Sequence, residues 1–302
     1  MQLARRTFLA GTLAGIGHVA LGARLPARAA EEGAAGFDPY ELVPLGKTGL
    51  KVSRVGFGTG THGWGRQSDQ LRLGPEKFAA LVRGCYDRGI RLFDCADIYG
   101  THASVSAALQ GLPRDSYALV TKYWWQKAGA IPEAERPDAD AAVERYLREF
   151  KTDYIDLVLM HAVTDADWPA KMRKQMDLFA KLKEKGVIRA HGVSCHALPG
   201  LQAAAKEPWV DSVHARINPY NVMMDAPLEQ VVPALKDIHD AGKGLVGMKI
   251  MAEGHIRDDD EKRSRSVEHA LRLGCVSAMV VGFMSLAEVD DFAGRVRKVP
   301  RA

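Results

Sequence analysis

A chain of 302 residues, 47% hydrophobic and 26% charged, has the composition of an ordinary soluble globular protein with one large core or two smaller ones. Its formal charge of +4 comes from the first thirty residues, where Arg5, Arg6, Arg24 and Arg28 stand without Lys, Asp or Glu; taking those four from 41 leaves 37 bases against 37 acids. That balance, with no basic stripe, excludes a phosphate-backbone binder and a polybasic membrane surface, so no nucleic acid partner is expected.

The chain opens on Ala4-Arg5-Arg6-Thr7-Phe8-Leu9, an apolar stretch to about Gly22, and Pro26-Ala27-Arg28-Ala29-Ala30 before the first acids. Paired Arg, a Gly-rich apolar region and an A-x-A site have the form of a twin-arginine export signal over residues 1–30. The apolar run falls short of the about 20 residues a membrane-spanning helix needs, so no stable span is expected after cleavage. The protein is therefore expected to be exported, to the periplasm, by the twin-arginine machinery. That route carries folded proteins and lets a cofactor be loaded beforehand. Residues 31–38 form a polar lead-in, and one domain is expected over residues 39–299.

The domain alternates short β-branched runs with amphipathic stretches of helical period. Strands are predicted at Val52 to Phe57, Arg91 to Cys95, Tyr117 to Lys122, Tyr154 to Met160, Ile188 to Val193, Ser212 to Ile217, Leu245 to Lys249 and Val276 to Val281. Helices are predicted at Pro75 to Arg88, Asp138 to Phe150, Trp168 to Lys185, Pro227 to Ala241, Arg263 to Leu273 and Ser285 to Ala293, several of them closing on Gly before the next strand. Eight such alternations predict an α/β fold of the (β/α)8 type, a parallel eight-stranded TIM barrel. An open dinucleotide-binding sheet is the alternative, but Gly56-Phe57-Gly58-Thr59-Gly60 lacks the G-x-G-x-x-G fingerprint. Those glycines are expected to let backbone approach a ligand at the first strand's end.

Barrel chemistry sits at the C-terminal strand ends. The second strand ends on Asp94, with Tyr99 just beyond; the third ends on Lys122 and the fourth on His161. An ionisable residue closing an apolar run is costly to bury alone, so these four are expected to pair. The set suits protonation of a carbonyl during hydride transfer. A tyrosine titrates near pH 10, and a neighbouring ammonium is expected to lower that value. Asp94 would keep Lys122 charged, and His161 would donate to the carbonyl oxygen. His191, His196 and His214 with Cys195 lack metal-site spacing, and no metal is expected. The four cysteines, Cys85, Cys95, Cys195 and Cys275, contain no C-x-x-C pair and are expected to pack as small apolar residues.

With these motifs assembled, the sequence resembles the aldo-keto reductase family. The likeness rests on Gly89 to Tyr99 (G-x-R-x-x-D-x-A-x-x-Y), Thr121 to Trp124, Asp156 to His161, and Gly192-Val193-Ser194, in family order over essentially the whole mature chain. It implies Tyr99 as general acid, Lys122 and Asp94 tuning it, His161 orienting the substrate carbonyl, Trp124 as a pocket wall, and NADP or NAD as cofactor. The implied cofactor residues are Gly58, Thr59, Ser194, Cys195, His214, Met248, Lys249 and Gly282. Cys195 and His214 stand where many members carry Asn and Gln, Met248 stands near a usual aromatic, and Glu288 is expected to repel a 2′-phosphate. A basic clamp is sought instead in Lys249, Arg263 or Arg265. The resemblance implies a reductase of aldehydes, ketones or sugars; the alternative is an exported barrel that binds a carbonyl or sugar ligand, or a partner, without turnover.

Overall fold

The computed structural model describes residues 35–126, 131, 132, 134 and 136–301, all within the unit Ala34–Ala302. Residues 1–30, where an export signal is expected, and most of the expected lead-in lie outside these residues. A short antiparallel hairpin, β1 (Leu42–Pro44) and β2 (Lys51–Ser53), precedes eight parallel strands: β3 (Val55–Gly58), β4 (Leu92–Asp94), β5 (Ala118–Tyr123), β6 (Ile155–Val163), β7 (Ile188–Cys195), β8 (Ser212–Arg216), β9 (Gly244–Met248) and β10 (Ala278–Val281). They close in sequence order, β10 pairing back onto β3, as the strand and helix rhythm predicts.

Side-chain alternation sorts each strand into two faces. Leu92, Val120, Leu157, Leu159, Val246 and Val280 meet inside the barrel, whereas Phe57, Phe93, Leu119, Val158, Val193 and Leu245 face out and pack beneath the helices. The hairpin adds Val43, Leu45, Leu50 and Val52 to the inner cluster, which seals the N-terminal end. The opposite end is left to the polar residues. All four cysteines are buried and free.

Several boundaries differ from the sequence expectation, among them the last helix, which runs on to Lys298, and three others stand out. The first predicted strand breaks at Arg54: Val52 pairs with Val43 in the hairpin, and the barrel strand begins at Val55. Ser53 makes the break, its hydroxyl donating to the Val55 carbonyl at 2.6 Å and accepting from the Arg91 N–H at 2.7 Å. The helix predicted over 168–185 divides at Met172 into Trp168–Lys171 and Arg173–Glu184. The helix predicted from Arg263 starts three residues earlier, because Asp259 caps it by accepting from the Lys262 N–H at 2.9 Å. Helices His102–Leu109 and Leu198–Lys206 supply two further crossovers.

Candidate active site

Continuing the inner face of three adjacent strands past their apolar residues gives Asp94 after Leu92, Lys122 after Val120, and His161 after Leu159. Lys122 Nζ donates to Asp94 Oδ2 at 2.6 Å and to the Cys95 carbonyl at 2.8 Å, with its side chain only 1% exposed and that of Asp94 6%. Burial alone would raise the Asp94 carboxyl; the Lys122 ammonium and His214 outweigh it and hold the group below the ordinary carboxylate range. Burial likewise pushes Lys122 down, and Asp94 carries it above an ordinary lysine. Two of the three ammonium donors are thus used, and one remains.

Tyr99 ends the single 3-10 turn Asp97–Tyr99 that follows β4, and Gly100 stops the turn in the left-handed region at φ 69°. The turn is pinned from behind. Arg145 grips both Asp97 oxygens at 2.9 and 2.7 Å, and Tyr146 donates to Asp97 at 3.1 Å. In front, a Cβ at Gly60 would come within 2.2 Å of the Tyr99 ring and one at Gly63 within 2.3 Å, so only glycine lets the loop after β3 close over the phenol. Lys122 Nζ lies 4.9 Å from the ring centre, and the His161 ring stands edge-on at 5.7 Å. The expected lowering of Tyr99 is not what results: burial raises the phenol more than Lys122 lowers it, and the group titrates above its ordinary value.

His161 is placed by an irregularity. The β6–β7 register shifts between Met160 and Val163, and Ala162 adopts φ 58°, a bulge that Ser194 supports by accepting from the Ala162 N–H at 3.1 Å. Trp125 Nε1 donates to the His161 carbonyl at 2.7 Å. Burial, and then the positive charge of Lys122, hold the imidazole well below its ordinary range, so it is neutral at pH 7. His161 Nδ1, Asp94 Oδ1 and Trp124 Nε1 are buried without a hydrogen bond, Asp94 Oδ1 facing His214.

A cavity of about 440 Å³ runs from Asp94 and Tyr99 past Gly58, Met248, Lys249 and Gly282 to Arg257, Arg263, Glu288 and Asp291. After β9 the chain turns through three left-handed residues, Lys249 (φ 61°), Ala252 (φ 47°) and Glu253 (φ 54°), which fold Lys249 onto Glu253 in an ion pair. Arg257 pairs with Glu288 at 2.9 Å and Arg263 with Asp291 at 3.1 Å. Three cations on a wall beside glycine backbone fit the phosphates of a nicotinamide dinucleotide, provided those phosphates compete with Glu253, Glu288 and Asp291. The pairs of Arg257 and Glu288, at 63% and 38% side-chain exposure, are of the weak, exchangeable kind.

The model of the aldo/keto reductase family matches residues 54–287. The chain belongs to that family. Among curated relatives it is 25% identical over 292 residues to L-galactose dehydrogenase of Arabidopsis thaliana, covering 86% of this chain and 89% of the relative. It is 28% identical over 209 residues to the aldo-keto reductase YhdN of Bacillus subtilis, covering 65% of this chain and 59% of the relative. Among solved structures, a putative aldo-keto reductase from Pseudomonas aeruginosa superposes with TM-score 0.70 at 24% identity, over 88% of this chain and 99% of the other. An aldo-keto reductase from Klebsiella pneumoniae, solved with NADPH, gives TM-score 0.64 at 21% identity over 87% and 92%.

In this aldo/keto reductase family member the residues expected to hold the cofactor divide into two groups. Gly58, Met248, Lys249 and Gly282 line the cavity. Thr59 does not: its hydroxyl donates to the Asp94 carbonyl at 3.0 Å and shares a hydrogen bond with Thr101 at 2.8 Å, fastening β3 to β4. Ser194 supports the bulge at His161. His214 is wholly buried with Nε2 3.2 Å from Asp94 Oδ1, in a contact whose angle does not make a hydrogen bond. Cys195, one residue out of phase with Ser194, faces the helical layer, where burial raises its thiol well above the usual range. Trp124 is buried and is not among the residues that line the cavity; its ring stands edge-on to His161 at 5.4 Å and to the exposed Trp64 at 5.5 Å. Arg257 was missed by the sequence reading, and it answers the concern about Glu288, whose charge it pairs; Arg265, one of the proposed clamps, is not among the cavity's residues.

Proposed function

We propose that this chain is an NADP(H)-dependent oxidoreductase that reduces an aldehyde, ketone or sugar carbonyl to an alcohol. The observation that carries the reading is the buried Lys122 and Asp94 pair against the Tyr99 ring, with neutral His161 edge-on beside it, at one end of a cavity bearing three cations. The names of its relatives, L-galactose dehydrogenase and the methylglyoxal reductase DkgB of Salmonella typhimurium, support a small carbonyl or sugar substrate.

The bound cofactor would supply hydride to the carbonyl carbon. The residues of the chain manage the proton and the charge. Tyr99, kept protonated by its raised pKa, gives its proton to the carbonyl oxygen, and the remaining donor of Lys122 stabilises the phenolate left behind. Asp94 keeps Lys122 charged and fixed. His161, neutral, carries one ring N–H that orients the carbonyl oxygen. Trp124, edge-on to His161, would stand as an apolar side of the substrate's place. Arg257, Arg263 and Lys249 would hold the cofactor's phosphates.

The decisive experiment uses NADPH carrying deuterium at its reactive carbon. Label in the alcohol product supports redox turnover. Conversion of a test aldehyde without label, or no nucleotide binding by fluorescence titration, overturns it in favour of a barrel that binds its ligand without redox chemistry. Export of the folded protein by the twin-arginine route belongs to the same proposal, on the strength of Arg5 and Arg6 before the apolar run. Replacing both by Lys is expected to leave the protein in the cytoplasm, and unchanged export would remove that part.

A further inference from the structure

Most arginines that this fold buries spend their guanidinium donors on partners within the chain. Arg145 holds both oxygens of Asp97 and one of Glu149; Arg295 holds Asp260, Asp291 and Ser264; Arg114 holds Asp156, Thr152 and two backbone carbonyls. Arg216 is different. It closes β8 with its side chain 15% exposed, and its one ionic neighbour among the described residues is Asp225, whose Oδ1 lies 3.5 Å from Nε without forming a hydrogen bond. Arg216 Nε and both Asp225 oxygens are sealed from solvent and unpartnered, while the terminal guanidinium nitrogens keep access to solvent and make no hydrogen bond to any described residue.

Its position gives that unused fork a purpose. Arg216 pairs in register with Met248, which lines the cofactor cavity, and on the other side the register of Ser194 with His214, carried two residues onward, sets His196 beside Arg216. The His196 ring stands edge-on to His161 at 6.0 Å. An arc of the barrel mouth thus passes from His161 through His196 and Arg216 to Met248. Arg216 falls one residue further round that arc from the carbonyl-orienting His161, with His196 between them, and is not among the residues that line the cofactor cavity. A planar guanidinium with free terminal donors matches a carboxylate in shape and charge.

We infer that Arg216 is a specificity-determining residue that binds an acidic group on the substrate, so that the preferred substrates are carbonyl compounds bearing a carboxylate. The carbonyl half of this statement rests on the oxidoreductase reading; the anion half does not. Two further facts agree with it. Burial pushes the Asp225 carboxyl up to about 7 against the pull of Arg216, which leaves the guanidinium only partly compensated near neutrality. Burial and then Arg216 push His196 down to about 3, so its ring is neutral and adds no competing charge.

The test compares succinic semialdehyde with butanal, of similar reach and differing in the carboxylate, using the full-length protein and NADPH. The expected result is a kcat/KM about 10- to 100-fold higher for the acid, carried by KM, as a charge-assisted pair predicts. Arg216→Gln should bring that ratio to about one, and Arg216→Lys should retain part of it. Asp225→Asn, which keeps the guanidinium, should preserve the ratio and covers the case in which Arg216→Gln fails to fold. Calorimetric titration with succinate and succinamide reads the same subsite without turnover. Succinate preference removed by Arg216→Gln in a protein that reduces neither aldehyde would support the subsite and sink the reductase. Equal KM for the two aldehydes, or an acid preference that survives Arg216→Gln, overturns the inference.

Discussion

The two ends of the cavity are built on opposite principles. At the Asp94, Lys122 and Tyr99 end the charges are buried and held by short hydrogen bonds to side chain and backbone, and the tyrosine is clasped by glycine backbone. At the Arg257, Arg263 and Glu288 end the ion pairs are part-exposed and face a wide opening, so each is free to change partners. The difference teaches what each end must do. Proton transfer needs groups that are already in place when charge develops, whereas a surface that admits and releases a large anion must have charges that cost little to rearrange.

Four experiments would break or sharpen that contrast. The largest effect is expected from Tyr99→Phe, which removes the general acid and should lower carbonyl reduction by about 10²- to 10⁴-fold in steady-state assays. Its stability should hardly change, since the ring and the glycine backbone packed on it are kept. Lys122→Met comes next, because it leaves Asp94 buried and unpaired: urea unfolding near neutrality should show a loss of about 3–5 kcal/mol. The sign of its pH dependence follows from the two shifts. Asp94, held low, contributes above its unfolded pKa, and Lys122, held high, contributes below its own, so the penalty should extend from about pH 4 to about pH 10 and shrink outside that window.

A smaller effect is predicted for the pH profile of reduction. His161 is held well below and Tyr99 above their ordinary values, so kcat should show no step near about pH 6.5 and should fall only above about pH 10. A fall beginning near neutrality would place Tyr99 lower than burial allows. The smallest effect belongs to the loose end. Glu288→Gln should free Arg257 and tighten NADPH binding by about two- to fivefold, measured by fluorescence titration, and a tenfold loss would show that Glu288 itself holds the cofactor.

The contrast also explains what could be read in the sequence. Asp94, Lys122 and His161 were legible because each continues a two-residue alternation at a strand end, and the barrel turns that alternation into a common direction. The same parity separates Cys195 from Ser194, a signal that residue-by-residue likeness overlooked, and it places Arg216 in phase with His214. Arg257 was not legible: it follows an irregular turn shaped by the left-handed residues at 249, 252 and 253, where no period exists to carry direction. The break at Arg54 was hidden because Val52 and Val55 look like one strand, and only the Ser53 side chain, bonding across the gap, separates them. The direction of the Tyr99 shift was missed for another reason. The Lys122 charge is visible in a sequence, but the depth of burial that outweighs it is not.

Cys95 has a use that follows from where it sits. Its carbonyl accepts from Lys122 at 2.8 Å, while its own thiol is fully buried and pushed up to about 12 by that burial. A thiol so placed cannot meet an alkylating reagent unless β4 parts from its neighbours, and such a parting also releases the lysine. In a variant with the other three cysteines changed to Ala, the rate of Cys95 alkylation would therefore act as a clock. It would count how often the proton-transfer cage opens, and how far a bound nucleotide slows it.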